Sequence, residues 1–342
     1  MEKEILKDLI KFNTINDKEN KNMVYYIADF LEKLGFRNHF IEKNGKFNLV
    51  SIIGDKVEFG FAGHTDTVGY SKNWSTEPFT LYEKNDFLYG LGVCDMKGSI
   101  AAILSVLTEI DLKKLKKGIG IYLTYDEEVG FSGINSLIQE WDIYPNLMII
   151  GEPTNNEIIT ATKGCIEYEA KVYGKSAHSS MLENGDNAII KMMDLIKELQ
   201  NIEFNERNTL YEIPHTTMNI GKIIGGTAVN IVPDLCSLKF DFRTINIDEH
   251  YYIEKKLKEI EKSFNCKIEK QLEVYPLVNR NNLTFPSKAI NFVTEAGFYP
   301  SSEKIILGVG PVNPHEDNEK VSVSSLTKCK EQYKDIIIKY CL

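Results

Sequence analysis

Potential metal ligands recur along the chain, and most of them stand where a predicted strand runs into a loop. His64 and Asp66 lie in the stretch FAGHTDTV, directly after apolar residues. Four further carboxylates and a second histidine extend the set: Asp95, Glu127, Glu128, Glu152 and His315. Two imidazoles and several carboxylates, with no cysteine in these positions, are typical of a hydrolytic site that holds two zinc ions.

Apolar spacing predicts that strands and helices alternate around these residues. Helices are expected over residues 2–12, 20–34, 98–109 and 133–140, and strands over 48–53, 58–62, 118–124 and 146–150. This alternation indicates an α/β fold with a mostly parallel central sheet flanked by helices. Because function collects at the carboxyl ends of such strands, we expect the candidate ligands to form one site.

The pattern changes near Lys163 and later returns to the first type. Strands are expected over 166–173, 216–224 and 235–243, with helices over 187–199 and 249–264, which gives a compact α+β unit. After this unit we expect a helix over 287–297, a strand over 304–307 and a helix over 324–340. The sequence therefore predicts a discontinuous metal-binding catalytic domain of residues 1–162 and 272–342, with an inserted lid domain of residues 163–271.

The composition excludes some classes of function. The net charge is −9 and the pI is about 5.4, whereas non-specific binding of nucleic acid needs a basic face. The six cysteines are scattered without a CxxC pair, which is typical of reduced thiols inside the cell. No apolar run approaches the roughly 18 residues of a membrane span, and the charged N-terminus lacks the apolar core of a signal peptide. We therefore expect a cytoplasmic protein without nucleic-acid or membrane partners.

Five motifs in order resemble the M20 metallopeptidases, the dinuclear zinc aminoacylases, dipeptidases and N-acyl amino-acid deacylases. They are HTD at 64–66, GLGVCDMKG at 90–98, DEE at 126–128, GEPT at 151–154 and GKSAHSS at 174–180. The resemblance covers essentially the whole chain. It implies a zinc-peptidase-like catalytic domain with an inserted dimerisation domain.

Within that family the sequence is most similar to the N-acetylornithine deacetylases. This likeness rests on PFTL at 78–81, LYGLG at 88–92, GGTAVN at 225–230 and NFVTEA at 291–296. It implies removal of the acyl group from an N-acyl L-amino acid, above all N2-acetyl-L-ornithine, in arginine biosynthesis. Desuccinylases of succinyl-diaminopimelate and dipeptidases share most of these motifs, so both remain alternatives. The short spacer and the proline before His315, in GVGPVNPH, favour a third alternative, a binding protein that keeps the fold without catalysis.

The resemblance also implies a ligand set for two Zn²⁺ ions. His64 and Glu152 would hold one ion, Glu128 and His315 the other, and Asp95 would bridge them. Two ions bring about +4, and three carboxylates with one hydroxide bring about −4, so the cluster would be near neutral. Co²⁺ or Mn²⁺ could replace zinc on the same ligands.

Two acidic residues beside these ligands are expected to assist the chemistry. Asp66 points to the same face of a strand as His64, so its carboxylate should accept the second ring N–H of that histidine and fix the tautomer. Glu127 directly precedes the expected ligand Glu128, and the side chains of adjacent residues point in different directions. We expect Glu127 to act as the general base that takes a proton from a metal-activated water and later gives it to the leaving amine.

Four residues are candidates for contact with the substrate, a small N-acyl amino acid. The resemblance implies that His178 reaches the active site of a partner subunit and stabilises the oxyanion, which predicts a homodimer formed through the lid domain. The guanidinium of Arg243 suits an α-carboxylate, and the Asn230 amide can donate to a carbonyl or carboxylate. Glu295 would favour a cationic side chain such as that of ornithine.

Overall fold

Two structural units divide the chain in this computed structural model, which describes residues 1–16, 18–278, 285, 287–311 and 314–342. The first unit includes residues 1–160 and 294–342, and the second includes 161–278 and 288–293. Within the described ranges, no helix is long and apolar enough to cross a membrane.

The helices agree with the periodicity of the sequence to within a few residues at each end. The α-helices of the described residues are α1 (Glu2–Ile10), α2 (Lys21–Lys33), α3 (Lys97–Glu109), α4 (Ser132–Glu140), α5 (Ala188–Gln200), α6 (Asp248–Ser263) and α7 (Val323–Cys341). α2 shows how such an element ends. Gly35 adopts φ +94°, its N–H donates to the Glu32 carbonyl at 2.9 Å, and the Phe36 N–H donates to the Leu31 carbonyl at 3.1 Å. This is a Schellman ending, for which glycine is favoured because it has no Cβ.

The strands include several short elements beside those that the sequence predicts. They are β1 (Arg37–Lys43), β2 (Lys46–Ile53), β3 (Val57–His64), β4 (Tyr82–Lys84), β5 (Phe87–Tyr89), β6 (Gly118–Thr124), β7 (Leu147–Ile150), β8 (Ala161–Thr162), β9 (Gly164–Tyr173), β10 (Thr217–Gly225), β11 (Leu235–Thr244), β12 (Cys266–Val274), β13 (Ala289–Ile290), β14 (Glu303–Ile306) and β15 (Lys320–Ser322).

A six-stranded sheet in the order β1-β2-β6-β3-β7-β14 forms the centre of the first unit. β6, β3, β7 and β14 run parallel, whereas β1 and β2 pair antiparallel at one edge. The predicted mostly parallel α/β sheet is therefore confirmed. β3 and β7 are buried along their whole length, as expected of parallel strands covered on both faces.

The main core of this unit lies between the sheet and the helices α1, α3 and α7. α3 is buried on all sides from Lys97 to Leu107, and most of these residues are apolar. A helix held this firmly positions the loop before it, and that loop carries Asp95.

The second unit contains a four-stranded antiparallel sheet in the order β10-β11-β9-β12, against which α5 and α6 pack.

The predicted helix over 287–297 is wrong. Residues 289–290 form β13, which pairs in parallel with β8, and a short 3-10 helix covers Glu295–Gly297. Thr294 starts that helix, because its hydroxyl accepts the N–H of Ala296.

Candidate metal centre

Three parallel strands deliver candidate ligands at their carboxyl ends. β3 ends at His64, β6 leads into Glu127 and Glu128, and β7 leads into Glu152. In the register of the sheet, His64 lies opposite Thr124, the last residue of β6. The acidic residues of three separate motifs therefore meet at one edge of the sheet, as expected for this fold class.

Glycines directly before two ligands let these segments approach Met96, the residue after Asp95. A Cβ at Gly63 would lie 2.4 Å from Met96 Cε, and a Cβ at Gly151 would lie 2.5 Å from the same atom. Neither position accepts a side chain unless Met96 moves. The two glycines thus set how closely β3 and β7 pack beside the Asp95 loop.

His64 is buried, with 1% of its surface exposed, and both of its ring nitrogens have partners. Nε2 lies 3.0 Å from Asp95 Oδ1 and 3.9 Å from Glu152 Oε1. Nδ1 lies 2.9 Å from the main-chain oxygen of Asp66 and 3.6 Å from its carboxylate. A proton on Nδ1 would be donated to that carbonyl, and Nε2 would then face the carboxylates with its lone pair.

The Asp66 carboxylate binds the segment that carries the two glutamates. Its oxygens accept the main-chain N–H groups of Glu127 and Glu128, each at 3.2 Å. The sequence assigns this carboxylate to the histidine ring, whereas the nearest Asp66 oxygen to that ring is the main-chain carbonyl. Asp66 is therefore placed to orient His64 through its carbonyl and the Glu127–Glu128 pair through its side chain.

His315 meets the cluster despite its short spacer. Its Nε2 lies 2.9 Å from Glu128 Oε2 and 3.9 Å from Asp95 Oδ2. About half of the His315 side chain, 53%, is exposed, so this edge of the cluster faces solvent.

In the part of the chain that the structure describes, two overlapping groups of residues bring their ligand atoms within 4.8 Å of one another: His64, Glu127 and Glu152, and His64, Asp95 and Glu128. Each group offers one imidazole nitrogen and two carboxylate oxygens. Glu127 belongs to the first group, although the sequence assigns it to proton transfer.

Negative charge is concentrated at this site. Burial raises the pKa of Glu152 well above its usual value, and the charges of Asp95 and Glu127 raise it further. Burial likewise raises the pKa of Glu127 well above its usual value, against the opposing effect of His64. Burial alone lowers the pKa of His64, but the hydrogen bond to Asp95 and the charges of Glu152 and Asp66 raise it well above its usual value. Such a set of carboxylates needs positive charge beside it to stay ionised.

The donor set fits divalent cations. Among the described residues, Glu152 Oε1 is buried and has no hydrogen-bond partner. A buried carboxylate oxygen without a partner is costly, and a cation would satisfy it. Imidazole nitrogens and carboxylate oxygens without sulfur suit zinc, and also cobalt and manganese.

Glu295 lies next to the candidate metal ligands and is almost completely buried. Only 1% of it is exposed, its carboxylate accepts a hydrogen bond from the Thr124 hydroxyl, and the Tyr299 hydroxyl lies 3.5 Å from its Oε2. Burial raises the pKa of Glu295 to about 7. In this conformation the carboxylate is not accessible to a ligand.

The other three candidates for substrate contact belong to the second unit. His178 and Asn230 are exposed and lie on neighbouring segments, because the Ser179 N–H donates to the Asn230 carbonyl at 3.0 Å. Arg243, near the end of β11, pairs through Nε with Asp241 at 2.8 Å.

Glu319 is a buried residue of the site that the sequence reasoning missed. Its carboxylate accepts the main-chain N–H of Asp95 at 2.9 Å. The available signal was its position four residues after His315, in the acidic stretch HEDNE.

Curated relatives match along nearly the whole chain. An acetylornithine deacetylase of Buchnera aphidicola subsp. Acyrthosiphon pisum (strain Tuc7) is 34% identical over 371 residues, which covers 99% of this chain and 97% of that protein. An acetylornithine deacetylase of Pasteurella multocida (strain Pm70) is 32% identical, with 95% of this chain and 92% of that protein covered.

A family model and a solved structure agree with these matches. Residues 160–271 match the peptidase dimerisation domain of the M20 family. The crystal structure of an M20 family metallo-carboxypeptidase from Sulfolobus solfataricus superimposes with a TM-score of 0.81 at 18% identity, and the match covers 98% of each chain. The predicted fold class, an α/β fold with a dimerisation domain, is therefore confirmed.

Proposed function

The chain belongs to the acetylornithine deacetylases of the M20 hydrolase family, and we propose that it hydrolyses N2-acetyl-L-ornithine to L-ornithine and acetate, a reaction of arginine biosynthesis. Amide hydrolysis with metal ions is the chemistry of this family. The observation that carries the proposal is the cluster of the buried His64 with the partly buried Asp95 and Glu128, beside a buried Glu152 oxygen that accepts no hydrogen bond from the described residues. The choice of acetylornithine rests on the names of the relatives.

Two zinc ions would be held by the residues that converge at the strand ends. His64 and Glu152 would hold one ion, Glu128 and His315 the other, and Asp95 would bridge them. Two distances support this division. His64 Nε2 lies 3.0 Å from Asp95 Oδ1, and His315 Nε2 lies 2.9 Å from Glu128 Oε2. When bound, such ions polarise the scissile carbonyl and make a water molecule more acidic.

Glu127 would move the proton. Its carboxylate would accept a proton from the attacking water and deliver it to the leaving amine nitrogen, since the amine is a poor leaving group until it is protonated. Burial raises the pKa of Glu127, which favours a carboxyl group that can hold the proton between the two transfers. The Asp66 carboxylate supports this role by fixing the Glu127 main chain.

Residues 163–271 would form an inserted lid and dimerisation domain, and residues 1–162 and 272–342 the catalytic domain. The match to the peptidase dimerisation domain supports a homodimer formed through this lid. His178 would reach the active site of the partner subunit and donate a hydrogen bond to the oxyanion. Its exposure leaves the ring accessible for that contact.

Arg243 and Asn230 would bind the polar groups of the substrate. The Arg243 guanidinium suits an α-carboxylate because its fork matches two oxygens, and its Nε is already oriented by Asp241. Asn230 is exposed beside the His178 segment and would donate to a carbonyl or carboxylate.

Glu295 would select a cationic substrate side chain, provided that its carboxylate becomes accessible when substrate binds. We then expect Glu295→Gln to lower the ratio of kcat/KM for N2-acetyl-L-ornithine over N-acetyl-L-leucine by about 10-fold or more, because a contact to a charged group is worth about 1.5–3 kcal/mol. Tyr299→Phe removes the facing hydroxyl but keeps the charge, and it should leave this ratio unchanged. An unchanged ratio in Glu295→Gln would discard the role.

The activity is tested on purified chain with three substrates: N2-acetyl-L-ornithine, N-succinyl-diaminopimelate and a plain dipeptide. We expect hydrolysis of acetylornithine that chelation abolishes and zinc restores, with metal content measured on the same sample. Bound metal with turnover of another substrate alone would retain the chemistry and reject acetylornithine. A chain that binds no metal and hydrolyses none of the three would reject the proposal as a whole.

A further inference from the structure

Glu319 is a buried carboxylate that accepts hydrogen bonds from three main-chain amides of one loop. Only 3% of the residue is exposed. Its Oε1 accepts the N–H groups of Cys94 and Asp95 at 2.6 and 2.9 Å, and its Oε2 accepts that of Gly92 at 2.7 Å. Hydrogen bonds to a carboxylate are about twice as strong as those between neutral groups, so this contact is a main anchor of the loop over residues 90–95.

The loop depends on this acceptor because its amides point inward. Gly92 adopts φ +80°, and a Cβ there would lie 2.7 Å from Thr67 Cγ2. A left-handed glycine of this kind turns neighbouring N–H groups towards one point and forms an anion-binding concavity. Gly92 and Cys94 are buried, so the loss of Glu319 would leave their N–H groups without this acceptor in the interior.

The segment that carries Glu319 also carries His315. After Glu319 the chain forms β15, which pairs antiparallel with β5, and the Gly90 N–H donates to the main-chain oxygen of Glu319 at 3.3 Å. The Asp95 loop follows β5 directly. One buried side chain therefore ties together two segments, far apart in sequence, that each deliver a candidate ligand.

We infer that Glu319 is a positioning residue, which fixes the Asp95 loop relative to the His315 segment so that both would contribute to the proposed metal site. It acts through the main chain of the Asp95 loop rather than through contact with the substrate. The inference rests on the proposed metal site and adds to it a carboxylate outside the ligand set.

Glu319→Gln tests this role because glutamine keeps the size of the side chain but replaces one acceptor oxygen with a donor. At least one of the three amides must then face another N–H group. We expect metal affinity to fall about 10- to 100-fold, as is typical when a residue that hydrogen-bonds to a metal-binding segment is replaced. The affinity is measured by competition with a chromogenic chelator. We also expect kcat to fall while KM changes little.

Glu249→Gln is the matched control. Glu249 is a buried glutamate of the second unit, 6% exposed, whose carboxylate accepts the Ile245 N–H at 3.0 Å. This substitution should lower the melting temperature to a similar extent without changing metal affinity or kcat. Wild-type metal affinity in Glu319→Gln, or an equal loss in Glu249→Gln, would overturn the positioning role.

Hydrogen exchange on the metal-free wild-type protein gives a second test that needs no variant. If Glu319 holds the loop, the amides of Gly92, Cys94 and Asp95 are protected before metal is added. Exchange at the rate of unstructured chain, with protection only after zinc is added, would show that the metal orders the loop and would overturn the inference. Neither the exchange nor the chelator competition involves substrate, so a failure to hydrolyse acetylornithine would reject the substrate alone.

Discussion

Glu127→Gln is expected to lower kcat for N2-acetyl-L-ornithine by about 10²- to 10⁴-fold while the metal content stays unchanged. Glutamine has nearly the same shape, but it cannot take a proton from water or return one to the amine. The main-chain contact to Asp66 does not involve the side chain, so the local fold should persist. The measurement combines the rate of ornithine release with metal analysis of the same dialysed sample.

Glu128→Gln is the comparison for this result, because it makes the same change one residue later. Glu128 Oε2 lies 2.9 Å from His315 Nε2. Substitution of Glu128 should therefore release the metal and abolish the activity at the same time. One Glu127 carboxylate oxygen also lies among the candidate ligand atoms, which makes the outcome informative. Loss of metal in Glu127→Gln would assign Glu127 to the ligand set and remove the general base from the proposal.

The parallel strands and their ligands are predictable from sequence because burial on both faces makes such strands almost wholly apolar. β6 reads GIGIYLT and β7 reads LMII, and acidic residues follow each of them closely. A polar residue directly after an apolar strand stands at the carboxyl edge of the sheet. The meeting of His64 with Glu128 and Glu152 follows from this rule alone.

Two edge strands, β1 and β12, are not predictable in this way. β1 reads RNHFIEK and β12 reads CKIEKQLEV, and both sequences carry charged residues in place of a clear apolar face. Each has a single buried residue but pairs in an antiparallel ladder, β1 with β2 and β12 with β9. The incorrect helix over 287–297 has the same origin, since β13 exists through its pairing with β8. Contacts between distant parts of the chain override local propensity.

The sequence pattern also does not indicate which side chains bind main-chain groups. Asp66 and Glu319 both use their carboxylates to accept backbone N–H groups, two from residues 127–128 and three from the loop over 90–95. These amides and carboxylates lie on segments that are far apart in sequence, so their contacts depend on the tertiary fold. The ligands of the cluster are therefore easier to identify from the sequence than the residues that hold them in place.

Asp95→Asn is expected to lower metal affinity by more than about 100-fold and to abolish most of the activity. The effect should exceed the 10- to 100-fold typical of residues outside the ligand set, because asparagine keeps the shape but removes the charge shared by two ions. Asp95 Oδ1 lies 3.0 Å from His64, and Asp95 Oδ2 lies 3.9 Å from His315, so a single side chain faces both proposed ion positions. The number of zinc ions per chain after dialysis, together with kcat, measures the result.

Asp111→Asn is the control for the loss of one aspartate charge. The Asp111 carboxylate accepts the Lys113 N–H at 3.2 Å at the start of a short 3-10 helix, and this variant should keep both ions and full activity. Two ions bound to Asp95→Asn with wild-type affinity would contradict the bridging role. One tightly bound ion with strongly reduced kcat would instead agree with it, because the ion held by His64 and Glu152 retains those two ligands when the bridge is lost.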